Sequence, residues 1–215
     1  MDENNSSETS YLLVPEIMVG VSKKLMLHAE GFFSDRKNGN FSMNGGALYG
    51  KYRFYSNDDV HSHFRMAAFG KLCGSNLPVA QESIDLNGSN TGFETGLIAT
   101  KLMNKVALSA SGSFLHSKEY NGLGYSVSAG KLLLPKEYTS YKQVNLNAML
   151  EILGQYNTTV SKGFIDVAPS LQVIINSVAR IDGGVRLKMG GDLLRTADNV
   201  YFIRFEYNFF NIFSK

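Results

Sequence analysis

The stretch VNLNAMLEILGQY, residues 144–156, alternates apolar and polar side chains. Its even positions are mainly apolar, whereas Asn145, Asn147, Glu151 and Gln155 stand at odd positions. A period of two places successive side chains on opposite faces of an extended strand, whereas a helix would repeat its apolar positions every three or four residues. The stretch therefore predicts a β-strand with one apolar face and one polar face.

The same alternation recurs along most of the chain. In VYFIRFEYNFF, residues 200–210, the apolar face carries Tyr201 and Ile203, and the polar face carries Arg204 and Glu206. The alternating segments are roughly 9–13 residues long, which exceeds the usual globular strand and suits a tilted strand that crosses a bilayer. The chain is therefore predicted to be all-β.

Short and longer connections alternate between these segments. The short ones are residues 22–24, 56–59, 103–105, 135–141 and 176–177, and the longer ones are 35–40, 74–90, 117–123, 157–163 and 190–199. Bacterial outer-membrane barrels have short periplasmic turns and longer outer loops. The pattern therefore predicts a transmembrane antiparallel up-and-down β-barrel.

The strand count bears on where the barrel begins. About 11 strands are recognisable, the first near residues 14–21, whereas single-chain bacterial barrels have an even number. We therefore expect about 12 strands in the complete protein, with a signal peptide and one strand before the present start. Residues 1–13 are then a polar N-terminal segment or outer loop, and residues 14–215 form the barrel domain. A barrel of roughly ten strands that leaves residues 14–21 unpaired is the alternative.

The composition resembles that of a soluble protein, with 44% hydrophobic and 19% charged residues and a net charge of +2. The nearly balanced charge gives no support to a nucleic-acid partner. The single cysteine, Cys73, excludes a multi-cysteine zinc site. A soluble lipocalin-like barrel has the same alternation with its apolar residues inside, so it remains an alternative. Long strands, and aromatic residues near the strand ends, favour the membrane version.

The polar face carries the candidate functional residues, because a porin-type lumen is polar and tolerates charges of both signs. The predicted lumen-facing residues are His28, Glu30, Lys51, Arg53, His61, His63, Arg65, Glu151, Asp166, Arg180, Asp182, Arg186, Lys188, Arg204 and Glu206. Those at positions 166–206 lie on neighbouring segments, so opposite charges can pair across strands. Such a ladder either stabilises a narrow barrel or sets the charge preference of a wide one, and the sequence leaves both open.

One histidine pair has the spacing of a metal site. His61 and His63 share a strand face beside Asp58 and Asp59, so both imidazoles could reach one ion. Polar side chains are expected at this place in a lumen in any case. No metal and no cofactor are therefore predicted.

A row of serines has the residue type of a nucleophile. Ser109, Ser111 and Ser113 share one face of a predicted strand, but His116 lies too close along the same strand to act as their base. We interpret the serines as lumen lining, and the chain is not predicted to be an enzyme.

Three stretches carry a family resemblance. They are VPEIMVGVSKKLMLHAEGFFS at 14–34, GALYGKYRFYSNDDVHSHFRMAAFGK at 46–71 and APSLQVIINSVARIDGGVRL at 168–187. They resemble the outer-membrane transporter family of the meta-pathway of phenol degradation and, more closely, outer-membrane barrel proteins of Bacteroidetes. The closing YFIRFEYNFF, 201–210, is similar to the terminal strand read by the barrel-assembly machinery. The resemblance implies location in the outer membrane of a Gram-negative bacterium and passage of small, often aromatic or hydrophobic, solutes.

We therefore expect an outer-membrane pore or transporter for a small solute, with the bilayer and the assembly machinery as partners. A structural barrel whose outer loops bind a partner is the alternative function. The loop GSNLPVAQESIDLNGSN, residues 74–90, is the candidate for such binding. Its apolar residues Leu77, Val79, Ile84 and Leu86 could instead fold inward as a constriction.

Overall fold

The computed structural model describes residues 9–37, 39–59, 62–78, 81–135 and 142–209. Within these ranges the chain forms twelve strands. They are β1 (Leu12–Leu13), β2 (Glu16–Gly20), β3 (Leu25–Ser34), β4 (Ser42–Asp58), β5 (Ser62–Ser75), β6 (Gly92–Met103), β7 (Val106–Ser117), β8 (Asn121–Leu134), β9 (Val144–Asn157), β10 (Lys162–Ile175), β11 (Ala179–Gly191) and β12 (Asn199–Tyr207). The described residues contain no helix that is both long and apolar enough to cross a membrane.

All twelve strands belong to one antiparallel sheet, in which each strand from β3 onward pairs with the next along the chain. The predicted all-β, up-and-down architecture is confirmed. Among the described residues, no pairing joins β12 to β1 or β2. Both edges of the sheet nevertheless line one cavity of about 2720 Å³, so the sheet curls toward the form of a barrel.

The first two strands share a single position in the sheet, because both pair with β3. Leu13 lies opposite Phe33, and Glu16 lies opposite Glu30. The break between them falls at Pro15, which has no N–H to donate, although its carbonyl still accepts a hydrogen bond from Gly31 N at 3.0 Å. The sheet therefore begins two residues earlier than the predicted barrel boundary at residue 14.

The connections differ in part from the predicted lengths. β6–β7 and β10–β11 are tight turns, with positive φ at Asn104 (51°), Asn176 (52°) and Ser177 (57°), which suits the twist of a hairpin. The prediction of longer loops at 117–123 and 157–163 is wrong. Only residues 118–120 join β7 to β8, and only residues 158–161 join β9 to β10. Strand pairing continues to the ends of these hairpins, which shortens the loops.

The two faces of the sheet have opposite chemistry. The outer face exposes large apolar side chains from β2 to β12, with Leu48 63%, Val127 60% and Ile203 86% exposed. The inner face buries polar and charged side chains instead, among them Lys71 and Asp166. The apolar core on this inner face is small and consists of Phe32, Ala47, Cys73, Ile84, Leu86 and Leu115.

Candidate functional site

The inner face is partly covered by a loop that folds back between β5 and β6. We call residues 81–90 the inner loop. Its Ile84 and Leu86 are each 3% exposed and pack against Phe32 of β3 and Leu115 of β7. Burial of side chains of this size contributes roughly 1.5–3 kcal/mol each. Ile84 and Leu86 therefore fold inward, as one of the two predictions for this loop had it, whereas Val79 lies outside the described residues.

A glycine allows the inner loop to approach β3. Gly88 has a φ of 116°, which a residue with a side chain rarely adopts. A Cβ at this position would lie 3.1 Å from Phe32 Cβ. The turn at Gly88 therefore fits against the aromatic ring only because the residue has no side chain.

Two amide side chains of β9 bind the backbone of the inner loop. Gln155 Oε1 accepts from Ile84 N at 2.7 Å, and Gln155 Nε2 donates to Ile84 O at 3.0 Å. Asn157 Nδ2 donates to Glu82 O at 2.6 Å. These bonds satisfy backbone groups of the inner loop that would otherwise be buried without partners. They attach the loop to the inner face through its backbone.

The inner loop also meets the β11–β12 loop, residues 192–198. Glu82 N and Ser83 N donate to Leu194 O at 2.9 and 3.0 Å, and Leu194 N donates to Glu82 Oε2 at 3.1 Å. Lys162 Nζ lies 2.8 Å from Glu82 Oε1. The Lys162 ammonium and the Leu194 N–H hold the pKa of Glu82 below its ordinary value, because both stabilise the ionised carboxylate.

Arg195 of the β11–β12 loop extends to the inner face of the sheet and binds Asp166 of β10 there. Its Nη1 atom lies 2.6 Å from Asp166 Oδ2, and Arg186 Nε lies 2.6 Å from the same oxygen. The ring of Phe164 stacks against both guanidinium groups, with its centroid 4.8 Å from Arg195 Cζ and 5.2 Å from Arg186 Cζ.

A second carboxylate, that of Asp198 in the β11–β12 loop, binds Arg195 Nε and Lys188 Nζ, each at 3.0 Å. These contacts lower the pKa of Asp198, Arg195 contributing most.

The predicted charge ladder lies further along β11 and β12. Asp182 stands directly opposite Arg204, whose Nη2 and Nε lie 2.6 and 2.8 Å from Asp182 Oδ2. Arg180 stands opposite Glu206, with 3.5 Å between Arg180 Nη1 and Glu206 Oε1. The structure therefore brings these four predicted residues together as cross-strand pairs.

A second charged cluster joins β2, β3 and β5 to the inner loop. Lys71 Nζ donates to Glu30 Oε2 at 2.7 Å and to Asn87 Oδ1 at 2.8 Å. His28 Nδ1 is in contact with Glu16 Oε1. His28 and Glu30 are predicted residues, whereas Glu16, Lys71 and Asn87 are not among those predicted from the sequence.

The other predicted residues lie apart from these clusters. His63 and Arg65 both bind Asp58, at 2.8 and 3.2 Å, near the β4–β5 turn. Arg53 Nη2 donates to Lys23 O at 2.5 Å. Lys51 lines the large cavity. Glu151 lines a smaller one of about 380 Å³ beneath the inner loop, and His61 lies outside the described residues.

Two serines of the row on β7 are bound to other hydroxyl groups. Ser109 Oγ lies 3.0 Å from Thr100 Oγ1, and Ser111 Oγ lies 2.9 Å from Ser126 Oγ. His116 Nδ1 is bonded to Asn121 Oδ1 at 2.7 Å instead. Ser111 and Ser126 line the smaller cavity.

Sequence reasoning missed Arg195 and Glu82 because both lie in loops, where alternation assigns no face. The apolar pair Ile84 and Leu86 within a long polar loop was the sequence feature that indicated contact between this loop and the inner face.

No family model matches the chain, and neither a curated protein nor a solved structure matches it. Membership of an outer-membrane transporter family, which the resemblance implies, therefore stays a prediction.

Proposed function

We propose that the chain is an outer-membrane β-barrel that acts as a pore or transporter for small solutes. The observation that carries the proposal is the distribution of side chains, with apolar groups exposed on the outer face and charges on the inner face. Soluble monomers rarely expose contiguous apolar patches larger than a few hundred Å². A hydrocarbon environment makes such a face favourable, because exposed apolar groups then contact lipid rather than water.

The inner face argues against a soluble lipocalin-like barrel. Such a barrel encloses apolar side chains, whereas Asp166 and Lys71 are buried here within ion pairs. A polar lumen with salt-bridged walls is typical of outer-membrane barrels. In a bilayer the outer edges of β2 and β12 also need partners for their backbone groups, so the proposal requires these edges to be paired there.

The inner loop and Arg195 together narrow the lumen. Both reach the inner face from connections at the same end of the sheet, and Gln81 and Thr196 bind each other directly. We infer that the inner loop limits the passage of solutes through this end. The resemblance to transporter families extends the proposal to aromatic or hydrophobic solutes and to recognition of β12 by the barrel-assembly machinery.

Membrane fractionation and liposome swelling test the proposal. The chain is expressed behind a bacterial signal peptide in a Gram-negative host, and the outer-membrane fraction is tested for heat-modifiable migration in gels. Purified protein is then reconstituted in liposomes with sugars, phenol and benzoate as solutes. We expect outer-membrane location and solute-dependent swelling. A heat-modifiable protein that permits no swelling, even after deletion of residues 82–89, would indicate a structural barrel.

A further inference from the structure

Two carboxylates and an imidazole converge on the inner face near the start of the sheet. Glu16 of β2 stands directly opposite Glu30 of β3, and His28 lies two residues before Glu30 on the same face. One donor atom from each of the three side chains lies within 4.8 Å of the others. The alternation of the two strands, rather than a flexible loop, places these groups together.

The electrostatics of this cluster favour a cation. Like charges directly opposite each other on neighbouring strands are destabilising. Two carboxylates face one ammonium group, that of Lys71, which binds Glu30 Oε2 at 2.7 Å. The His28 ring is in contact with Glu16 Oε1, so its imidazole nitrogen lies beside the carboxylates as a further donor atom. With both carboxylates ionised, Lys71 balances one of the two negative charges, and a cation bound between the side chains would offset the other.

We propose that Glu16, His28 and Glu30 bind a Zn²⁺ ion. Zinc takes imidazole nitrogen and carboxylate oxygen at about 2.0–2.2 Å. Donor atoms already within 4.8 Å of one another need only small side-chain rotations to reach such distances around one ion. Three protein ligands leave a fourth position for water on a tetrahedral zinc ion.

The neighbours of the cluster suit this role. Lys71 holds one oxygen of Glu30 and leaves the other for the metal, as carboxylate ligands are commonly oriented by an outer hydrogen bond. The His28 ring packs on Tyr49, with 4.9 Å between ring centroids. No described residue forms a hydrogen bond with His28 Nε2. The imidazole can therefore turn toward an ion without breaking a hydrogen bond at Nε2.

Isothermal titration with ZnCl₂ tests the site on the full chain in detergent. We expect one zinc ion per chain, and an affinity at least about 100-fold lower in His28→Ala and Glu30→Gln, since each removes a ligand. His116→Ala is the matched control, because His116 binds Asn121 elsewhere in the sheet. Wild-type protein that fails to bind zinc, or variants that bind as wild type does, would overturn the site.

X-ray absorption of the zinc-loaded wild type tests the same site without a variant, in case the variants fail to fold. One imidazole and two or more oxygen ligands per zinc are expected. Two imidazoles per zinc, or none, would contradict the site. Zinc binding requires neither transport nor a bilayer, so this result is independent of the swelling assay.

Discussion

Arg195 reaches from the β11–β12 loop to Asp166 of β10, with 2.6 Å between Arg195 Nη1 and Asp166 Oδ2. The Asp166 side chain is completely buried, and that of Arg195 is 5% exposed. Arg186 binds the same carboxylate. One buried carboxylate therefore fixes a loop and a neighbouring strand at once.

Removal of that charge should destabilise the protein strongly. We expect Asp166→Asn to lower the free energy of unfolding by about 3 kcal/mol, the low end of the cost of breaking a buried ion pair, because the buried Arg195 guanidinium then keeps the exposed carboxylate of Asp198 as its acidic partner. Urea unfolding in detergent measures the change. Asp58→Asn is the control, since the side chains of Asp58 and its partner Arg65 are 46% and 47% exposed, and its loss should be much smaller because exposed ion pairs contribute little. Equal losses in both variants would contradict the role given to burial.

Release of the inner loop should open the lumen. Ile84→Asp places a charge where a side chain is 3% exposed, so we expect the loop to detach and the single-channel conductance in planar bilayers to rise several-fold. Leu194→Asp is the control, because Leu194 is 59% exposed and binds the inner loop only through its backbone. An unchanged conductance in Ile84→Asp would show that the inner loop does not limit the pore.

Acid should release the same loop through Glu82. The docked loop lowers the pKa of Glu82 below its ordinary value of 4.5, through Lys162 first and then the Leu194 N–H. Docking is therefore favoured at pH values above 4.5, and this contribution is lost as the pH falls from there through the lowered pKa. We expect conductance to rise in that acid range.

The Glu82→Gln variant identifies the group responsible for this pH response. It should lack the Glu82 part of the acid response and have a raised conductance already at neutral pH, because the amide cannot form the ion pair with Lys162. A wild-type response retained in full by Glu82→Gln would assign the titration to another group.

Alternation predicted the strands and the inner-face residues that lie within them. Arg204 and Asp182 illustrate why, since a period of two and an antiparallel register suffice to place them opposite each other. The pairing of Asp166 with Arg195 was beyond such reasoning, because it depends on the path of a loop. The convergence of Glu16 with His28 required the register of β2 against β3, which alternation within a single strand does not give. The apolar side chains of Ile84 and Leu86 indicated that part of their loop could be buried. They did not indicate that Phe32 and Leu115 would cover them.

Leu97 tests most directly whether the outer face contacts lipid. It lies near the middle of β6 and is 53% exposed. In a bilayer, Leu97→Arg should lower the free energy of unfolding by about 2–4 kcal/mol, because the charge enters hydrocarbon. Ser111→Arg on the inner face is the control, and it should change conductance more than stability. The measurement is urea unfolding in phospholipid vesicles, where a loss of about 2–4 kcal/mol for Leu97→Arg is the predicted result. A change within about 0.5 kcal/mol, as expected for a water-exposed surface, would contradict the membrane barrel.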